Sequence, residues 1–433
     1  MTSPRRFEQD LPALLADLYL AGTPDYRDDL VRQVASVQQR PAWTFPGRWL
    51  PMELVTTRVQ MTRLPMRQLG VLALIAILIA AALAAYIGSR QHRLPPPFGV
   101  AANGVVAYSL AGDIYTVDPR TGATVTVVAG PEADRRPMFS PDGTKVALLR
   151  ARPDTPDRFD IVVAMSDGRD PRVLVADPVS IDDTVEWAPD GTYILLCTTT
   201  GTLSRVDAVG SEPPKVLARG VHIFAGAFRP PDGAQILYEV DTSTSTALFV
   251  MDADGSHQTK ILERPAAGGI GAISQNVRWS PDGRMIALGI VGPVGDGNVR
   301  IHVMNADGSD LHQAGDATGI WVENDVVWSP DSRHVAFNRW LPVASGGWEI
   351  RAVGIAPAAG GPIQEVGSVP VPEGAILEYS PDGTKLVAVP GPLVLAETDG
   401  TPQPPMIIDI ATGTGTLAAW EVGSGTSWQR LAP

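Results

Sequence analysis

A short turn motif, an aromatic residue followed by Ser-Pro-Asp-Gly or a close variant, constrains the fold more than any other feature. Its aromatic residues recur 41–51 positions apart, about the length of one four-stranded propeller blade. Ser, Pro and Gly at the first, second and fourth turn positions are typical of a type I β-turn. The repeats begin at Phe139, Trp187, Phe228, Trp279, Trp328, Tyr379 and, without the turn, Trp428.

Each turn lies between segments that have the sequence pattern of strands. A strand alternating apolar and small residues follows the turn, as at 145–149 and 334–337. A second strand ends in a hairpin of the Asp-Gly type, as at 161–165, and a third short strand closes the unit, as at 172–175. With the strand that carries the aromatic residue, every repeat therefore predicts four strands.

The two ends of the repeat region complement each other. Residues 104–110, 114–118 and 124–128 form three strands that lack the first strand of a repeat, and residues 428–431 form a first strand that lacks the other three. Joining them would leave no open sheet edge where the ring closes. We therefore predict an all-β fold: a seven-bladed β-propeller of four-stranded blades closed by a C-terminal strand joining the N-terminal blade. The repeated aromatic residue is expected to pack between neighbouring blades.

These repeats resemble the TolB-type, WD-like β-propeller repeat, with its aromatic-Ser-Pro-Asp-Gly start and its Met-Asn-Ala-Asp-Gly hairpin. The resemblance covers residues 103–433 and is specific in six of the seven repeats. It implies a protein-interaction or ligand-sensing platform of the bacterial envelope, generally without chemistry of its own. This sequence departs from TolB in its predicted membrane anchor and in a count of seven blades rather than six.

Residues 69–88 predict one transmembrane helix, because the stretch from Gln68 to Ser89 is free of charge and long enough to cross about 30 Å of hydrocarbon. This divides the chain into a cytoplasmic region 1–68, a transmembrane helix 69–88, a linker 89–102 and the propeller 103–433. Initiation at Met61 or Met66 would instead make the apolar run a cleaved signal peptide.

The distribution of charge indicates the orientation. Residues 1–68 carry 9 Arg and 7 acidic residues, whereas residues 94–433 carry 23 Arg and Lys and 40 acidic residues, a net charge of −17. Three arginines precede the apolar run within about 20 residues and two follow it. We expect a single-pass protein of the bacterial cytoplasmic membrane with its N-terminus in the cytoplasm and its propeller outside. An acidic propeller argues against binding to nucleic acid.

The N-terminal region predicts two short amphipathic helices followed by a proline-rich aromatic segment. Leu11, Leu15 and Leu18 belong to the apolar stripe of the first helix, which two short helices cannot bury well by themselves. The aromatic segment contains Trp43, Phe45 and Trp49 between prolines that prevent helix formation. These six residues are candidates for binding a cytoplasmic partner; the alternative is that the region is only a tether.

The sequence offers no catalytic motif. Gly-x-Ser-x-Gly is absent, and the six histidines lack the spacing of metal ligands. Asp252 to Gly255 and Asn305 to Asp310 superficially resemble calcium loops, but Asp and Gly are also what a hairpin turn needs there. We expect no metal, no cofactor and no enzymatic activity.

The remaining candidate site is the central channel, because the innermost strand of each blade lines it. Polar residues shortly before each aromatic residue can point into the channel; the alternative, which their position at the start of a strand favours, is that they are solvated strand entries. The candidates are Arg136, Asp183, Asn276, Arg278, Asn324, Asp325 and Glu378, with Arg135 and Asp182 beside them.

The leading functional hypothesis is a non-enzymatic, membrane-anchored envelope sensor or interaction platform. Its propeller would bind a partner or ligand outside, and its N-terminal region would engage a cytoplasmic protein. An anti-sigma-like role remains open, although residues 1–68 contain neither His nor Cys for a zinc-type motif. The alternatives are a lactonase-like hydrolase with a metal in the channel and a purely structural scaffold of the envelope.

Overall fold

The computed structural model describes most of residues 98–432 and contains only β-strands there. The described ranges are 98–180, 184–198, 200–220, 223–242, 244–265, 273–292, 298–315, 321–342, 348–366, 375–389 and 402–432. No helix among these residues is long and apolar enough to span a membrane. The predicted helices of residues 1–68, the predicted transmembrane helix 69–88 and most of the linker lie outside the described residues.

The strands fold into a β-propeller of antiparallel sheets. Three of its four-stranded sheets come from the first half of the propeller. Their strands are β4 Asp134–Phe139, β5 Lys145–Arg152, β6 Thr155–Met165, β7 Arg172–Val179, β8 Thr184–Trp187, β9 Tyr193–Thr198, β10 Thr202–Asp207, β11 Lys215–Arg219, β12 Ile223–Phe228, β13 Gln235–Asp241, β14 Ser245–Asp252 and β15 Thr259–Pro265. In each sheet the strands lie side by side in chain order, beginning with the strand that carries the repeated aromatic residue.

The second half contains an eight-stranded sheet and a further four-stranded sheet. Their strands are β16 Ile273–Trp279, β17 Met285–Val291, β18 Val299–Asn305, β19 His312–Gln313, β20 Val322–Trp328, β21 His334–Pro342, β22 Trp348–Pro357, β23 Gln364–Val366, β24 Ile376–Tyr379, β25 Lys385–Val389, β26 Met406–Asp409 and β27 Thr414–Leu417. The eight-stranded sheet consists of two groups, β16–β19 and β20–β23, joined by the single parallel pair Val299–Val322.

The last strand of the chain completes the first sheet, as the sequence predicts. That sheet has the order β28-β1-β2-β3, with β1 Ala102–Leu110, β2 Asp113–Val117, β3 Thr124–Val128 and β28 Ser424–Leu431. Trp428 is opposite Val106 in the antiparallel pair. The described part of the chain thus forms five four-stranded sheets and one eight-stranded sheet, whereas the sequence predicted seven separate four-stranded blades. The number of sheets is smaller than predicted because Val299 on β18 pairs with Val322 on β20, which joins two of the predicted blades into one sheet.

The apolar cores lie between neighbouring sheets. One cluster joins Leu149 and Ile161 of one sheet to Trp187 and Ile194 of the next, all nearly or completely buried. The repeated aromatic residues lie in this layer: six are at most 8% exposed, and Tyr379 is half-buried. The indole of Trp187 donates to the carbonyl oxygen of Met138 in the preceding sheet at 3.0 Å. The prediction that these residues form core between blades is confirmed.

The Ser-Pro-Asp-Gly turns are held by their own side chains. In the first, Gly143 N–H donates to Ser140 O at 2.8 Å, as in a type I turn, and Ser140 Oγ donates to Asp142 at 2.6 Å. Two features require glycine at Gly143: its φ of +69° and its close packing against Gln429 and Arg430 of β28. At Gly283 an added Cβ would lie 1.9 Å from Pro230 O.

Candidate functional site

The innermost strands of the sheets surround the centre of the propeller and are tied to one another around it. The backbone N–H of Phe139 on β4 donates to Ser427 Oγ on β28 at 3.0 Å. The indole of Trp328 on β20 donates to the carbonyl oxygen of Arg278 on β16 at 3.1 Å. Polar groups beside the channel therefore also fasten the ring.

The structure describes some of the predicted channel residues in full and others in part or not at all. Arg278, Asn324, Asp325 and Glu378 lie on innermost strands and are half-buried. Asn276 also lies on an innermost strand, but its side chain is not among those described. Asp182 and Asp183 fall outside the described residues. Arg135 is exposed and Arg136 half-buried on β4.

Arg278 influences two acidic residues on other innermost strands, Glu186 and Asp325. Arg278 lies on β16, Glu186 on β8 and Asp325 on β20. Burial raises the pKa of Glu186 to about 7, and the positive charge of Arg278 opposes this rise. Burial also raises the pKa of Asp325, against a hydrogen bond from Asn338 at 3.1 Å and the same Arg278 charge. Because β12 lies between β8 and β16 in the ring, the influence of Arg278 on Glu186 acts across the channel.

Glu186 was not predicted, although a signal for it exists. It immediately precedes its repeat aromatic Trp187, as Arg278 precedes Trp279 and Glu378 precedes Tyr379. Side chains alternate between the two faces of a strand, so equivalent positions in each repeat share a direction. Aligning the repeats on the aromatic residue would have added Glu186 to the candidates.

Glu378 is engaged in closing the ring. Its carboxylate accepts a hydrogen bond from Trp428 N–H at 2.7 Å and one from Thr426 Oγ1 at 3.3 Å. Both donors belong to β28, the strand that completes the first sheet. Burial raises the pKa of Glu378 to about 7, while these two hydrogen bonds lower it. The carboxylate therefore links two neighbouring sheets.

Asn324, Asp325 and Arg136 have structural surroundings that the sequence did not reveal. Asn324 Oδ1 accepts a hydrogen bond from the Trp340 indole at 2.8 Å. Arg136 and Asp325 have φ values of +50° and +55°, and each lies at a register shift in its strand pair. Each stands three residues before its aromatic residue, and the same position is Gly425 in β28, with φ of +60°. A recurrent β-bulge therefore sets the direction of these side chains.

The aspartates of the hairpins accept hydrogen bonds from residues of their own turns. Asp254 accepts hydrogen bonds from both the backbone N–H and the hydroxyl of Ser256, and Asp307 does the same with Ser309. Among the residues described, no group of three or more His, Cys, Asp and Glu side chains is placed to hold a metal ion. The resemblance of these segments to calcium loops is explained by the chemistry of the turn.

A buried carboxylate outside the channel was also missed by the sequence analysis. Glu239 on β13 has no solvent exposure, and neither of its carboxylate oxygens has a hydrogen-bond partner in the described structure. Burial, together with the nearby charge of Asp241, raises the pKa of Glu239 to about 8. The carboxyl group is therefore largely protonated at neutral pH, which lowers the cost of burying it.

Two clefts open between neighbouring strand groups on the side of the turns and hairpins. One of about 510 Å³ lies between β12–β15 and β16–β19, with Arg229, Arg284 and His257 in its lining. Another of about 470 Å³ lies between β16–β19 and β20–β23, where Asp310, His312 and His334 contribute.

The closed arrangement of antiparallel sheets around a polar channel defines this chain as a β-propeller protein. Sequence comparison finds a similar protein among the β-propeller proteins. The Tol-Pal system protein TolB of Anaeromyxobacter dehalogenans is 34% identical over 125 residues, which make up 28% of this chain and 28% of that relative. The chain is a TolB-like β-propeller, aligned with just over a quarter of the relative's length. No family model matches the sequence.

Comparison with solved structures finds several partial likenesses. TolB from Acinetobacter baumannii has 15% identity and a TM-score of 0.46 over 77% of this chain and 81% of that one. An oligogalacturonate lyase from Vibrio parahaemolyticus has 14% identity and a TM-score of 0.49, covering 73% and 86% of the two chains. A putative 6-phosphogluconolactonase from Bacteroides uniformis has 17% identity and a TM-score of 0.49, covering 76% and 99%. At these identities the likeness concerns the fold alone.

Proposed function

We propose that this protein is a non-enzymatic, membrane-anchored interaction platform whose propeller binds a protein partner outside the cytoplasmic membrane. The observation that carries the proposal is that polar side chains at the channel form hydrogen bonds with other parts of the propeller. Glu378 binds the closing strand, and Asn324 binds the Trp340 indole. The likeness to TolB, a protein named for the Tol-Pal system, supports a role in protein interaction.

The chain enters the propeller on the side of the Ser-Pro-Asp-Gly turns. Ala101 N–H donates to Pro381 O at 2.9 Å, and Asp382 N–H donates to Asn103 Oδ1 at 3.0 Å. The segment that leads into β1 is therefore fastened to the Ser-Pro-Asp-Gly turn that follows β24. We also count the two groups of the eight-stranded sheet as separate blades, which gives seven.

The predicted N-terminal region extends the proposal into the cytoplasm. Leu11, Leu15, Leu18, Trp43, Phe45 and Trp49 would engage a cytoplasmic protein, so that one chain relays an external binding event inward. Topology tests this arrangement: protease added to intact cells should degrade the propeller and spare an epitope at residue 1. Recovery of a soluble propeller without residues 1–68 would support a signal peptide starting at Met61 or Met66.

Binding by the purified full-length chain tests the platform itself. Candidate envelope proteins recovered by in-cell cross-linking should bind the purified chain saturably, and chelation with EDTA should leave that binding unchanged. A lactone- or glycan-cleaving activity that is lost on chelation, with no saturable protein partner, would favour the channel-metal enzyme. Absence of both partner and activity would favour the structural scaffold.

A further inference from the structure

We infer that His312 is a pH-operated clasp: its doubly protonated ring ties the two groups of the eight-stranded sheet together, and loss of one proton releases the tie. His312 lies at the start of β19, in the group β16–β19. Its Nδ1 is 2.7 Å from Asp310 O in the same hairpin. Its Nε2 is 2.9 Å from Ala358 O, just beyond β22 in the group β20–β23.

The partners of the ring fix its protonation state. A carbonyl oxygen can only accept a hydrogen bond, whereas a neutral imidazole has one donating and one accepting nitrogen. Both nitrogens of His312 face carbonyl oxygens at hydrogen-bonding distance, so both must carry a proton. The imidazolium is therefore the form of the side chain that fits this geometry.

The charged groups around His312 come from both strand groups. On its own hairpin, Asp310 Oδ2 is 3.9 Å from Nδ1 and favours the protonated ring. His302 on β18 is close enough for the two rings to repel each other when both are charged. From the other group, the exposed side chains of Arg333 and His334 line the same cleft. The two hydrogen bonds and the Asp310 carboxylate raise the pKa of His312, against the effect of its partial burial.

The contact between His312 and Ala358 O involves a hairpin position at which two other repeats have exposed residues. Asp170, His257 and Asp310 occupy the same hairpin position, with φ values of +52° to +56°. Two residues later the chain has Arg172, Thr259 and His312, of which the first two are exposed. The same two strand groups are also joined at the Val299–Val322 pair, near which the buried Glu323 lies 3.9 Å from Arg300 and 3.7 Å from Arg339. His312 is thus a titratable link between groups that are also joined by bonds that do not depend on histidine protonation, such as the Trp328 indole to Arg278 O.

Loss of one proton leaves a ring nitrogen lone pair facing a carbonyl oxygen. The contact with Asp310 lies within one turn and survives easily, so the contact with Ala358 is the one that opens. Both His312 and Ala358 line the cleft of about 470 Å³, whose width therefore depends on the clasp. Since the folded-state pKa of His312 is raised, its stabilising contribution is complete below the unfolded value of about 6.5 and is lost as pH rises through the folded value.

Two measurements on the full-length chain in detergent micelles test the clasp. The first is a ¹³C NMR titration of selectively labelled histidine, with the His312 signal assigned by its absence in His312→Gln. The second is hydrogen exchange of the Asp282 amide, which donates to Ser332 Oγ of the other strand group at 3.1 Å; Ser332 lines the same cleft. His334→Gln is the matched control, because His334 lines the same cleft without a bridging bond in the described structure.

We expect His312 to titrate above about 6.5 and the Asp282 amide to lose protection with the same midpoint, after correction for the intrinsic pH dependence of exchange. His312→Gln should lack this midpoint, and His334→Gln should retain it. A His312 midpoint at or below about 6.5 would overturn the assigned protonation state. A raised midpoint without any change at the Asp282 amide, or an equal change in both variants, would overturn the clasp.

Discussion

The carboxylate of Glu378 accepts a hydrogen bond of 2.7 Å from the backbone N–H of Trp428, fifty residues further along the chain. Glu378 lies on β24 and Trp428 on β28, so the bond joins the last complete sheet to the strand that completes the first one. Ring closure therefore has two components, the backbone pairing of β28 with β1 and this carboxylate at the channel.

Deleting residues 425–433 should prevent the propeller from folding stably. The deletion removes nearly all of β28, exposes the edge of β1 and takes away the buried Trp428. We expect insoluble protein or a melting temperature lowered by more than 10 °C, measured by circular dichroism. Deletion of residues 432 and 433 alone, which follow β28, is the control. Equal melting of the two truncated chains and the full-length chain would show that closure is not needed.

Replacing Glu378 separates the carboxylate from the backbone pairing. Glu378→Ala leaves the partly buried Trp428 N–H without its acceptor and should cost roughly 1–3 kcal/mol in the free energy of unfolding. Glu378→Gln keeps an acceptor oxygen and should cost less. Because the folded-state pKa of Glu378 is raised to about 7, ionisation costs the wild-type protein stability as pH rises from about 4.5 to 7. Denaturant unfolding at pH 5 and 8 should show that Glu378→Gln lacks this component.

The sheet pairing and ring closure could be predicted from the sequence because turn chemistry and spacing are local signals. The segment predicted at 428–431 lies within β28, and the segment at 124–128 coincides with β3. The charged channel could be predicted only in part. Arg136, Arg278 and Asp325 were all named from the sequence, but the bulges that redirect Arg136 and Asp325 depend on pairing with the next strand, which a single strand sequence does not show.

Two further features depended on contacts between distant parts of the chain. The merger of two blades into one sheet rests on one backbone pair, Val299–Val322, and no residue type specifies such a pair. Glu239 follows the predicted strand 235–238, where a charged residue is expected to reach solvent. In the structure its side chain is fully buried.

Glu239→Leu should stabilise the protein at alkaline pH. The equivalent position in the β4–β7 sheet is Leu149, and an apolar side chain removes a buried carboxyl without partners. The folded-state pKa of about 8 means that ionisation costs the wild-type protein stability as pH rises from about 4.5 to 8. We expect a gain of roughly 2–4 kcal/mol at pH 8.5 and a smaller gain at pH 5, measured by urea unfolding. A larger gain at pH 5 would contradict this explanation.

Gly283→Ala should destabilise the fold through a close backbone contact. Gly283 has φ of +69°, and an alanine Cβ would lie 1.9 Å from Pro230 O in the neighbouring turn. Gly122→Ala is a matched control, because Gly122 has φ of +71° but no atom within 4 Å of the added Cβ. Both variants bear the cost of the left-handed conformation, about 1 kcal/mol. Gly283→Ala should cost at least 2 kcal/mol more in chemical unfolding, and equal losses would rule out a contribution from packing.

The double substitution Leu11→Asp with Leu15→Asp should abolish capture of a cytoplasmic partner without changing membrane insertion. The basis is the predicted apolar stripe of residues 1–68, which two short helices cannot bury, followed by Trp43, Phe45 and Trp49. Burying one Leu side chain contributes roughly 1.5–3 kcal/mol, so two charges on this face should lower affinity by at least 100-fold.

The control is the pair Asp28→Asn with Asp29→Asn, which changes charge at two polar positions of the predicted second helix and leaves the stripe intact. Capture is measured by cross-linking in intact cells with the full-length chain, and insertion by carbonate extraction of membranes. Insertion is predicted to depend on residues 69–88 and should therefore be equal in all three proteins. If the leucine variant captures the same partners as wild type, or if wild type captures none, residues 1–68 act as a tether.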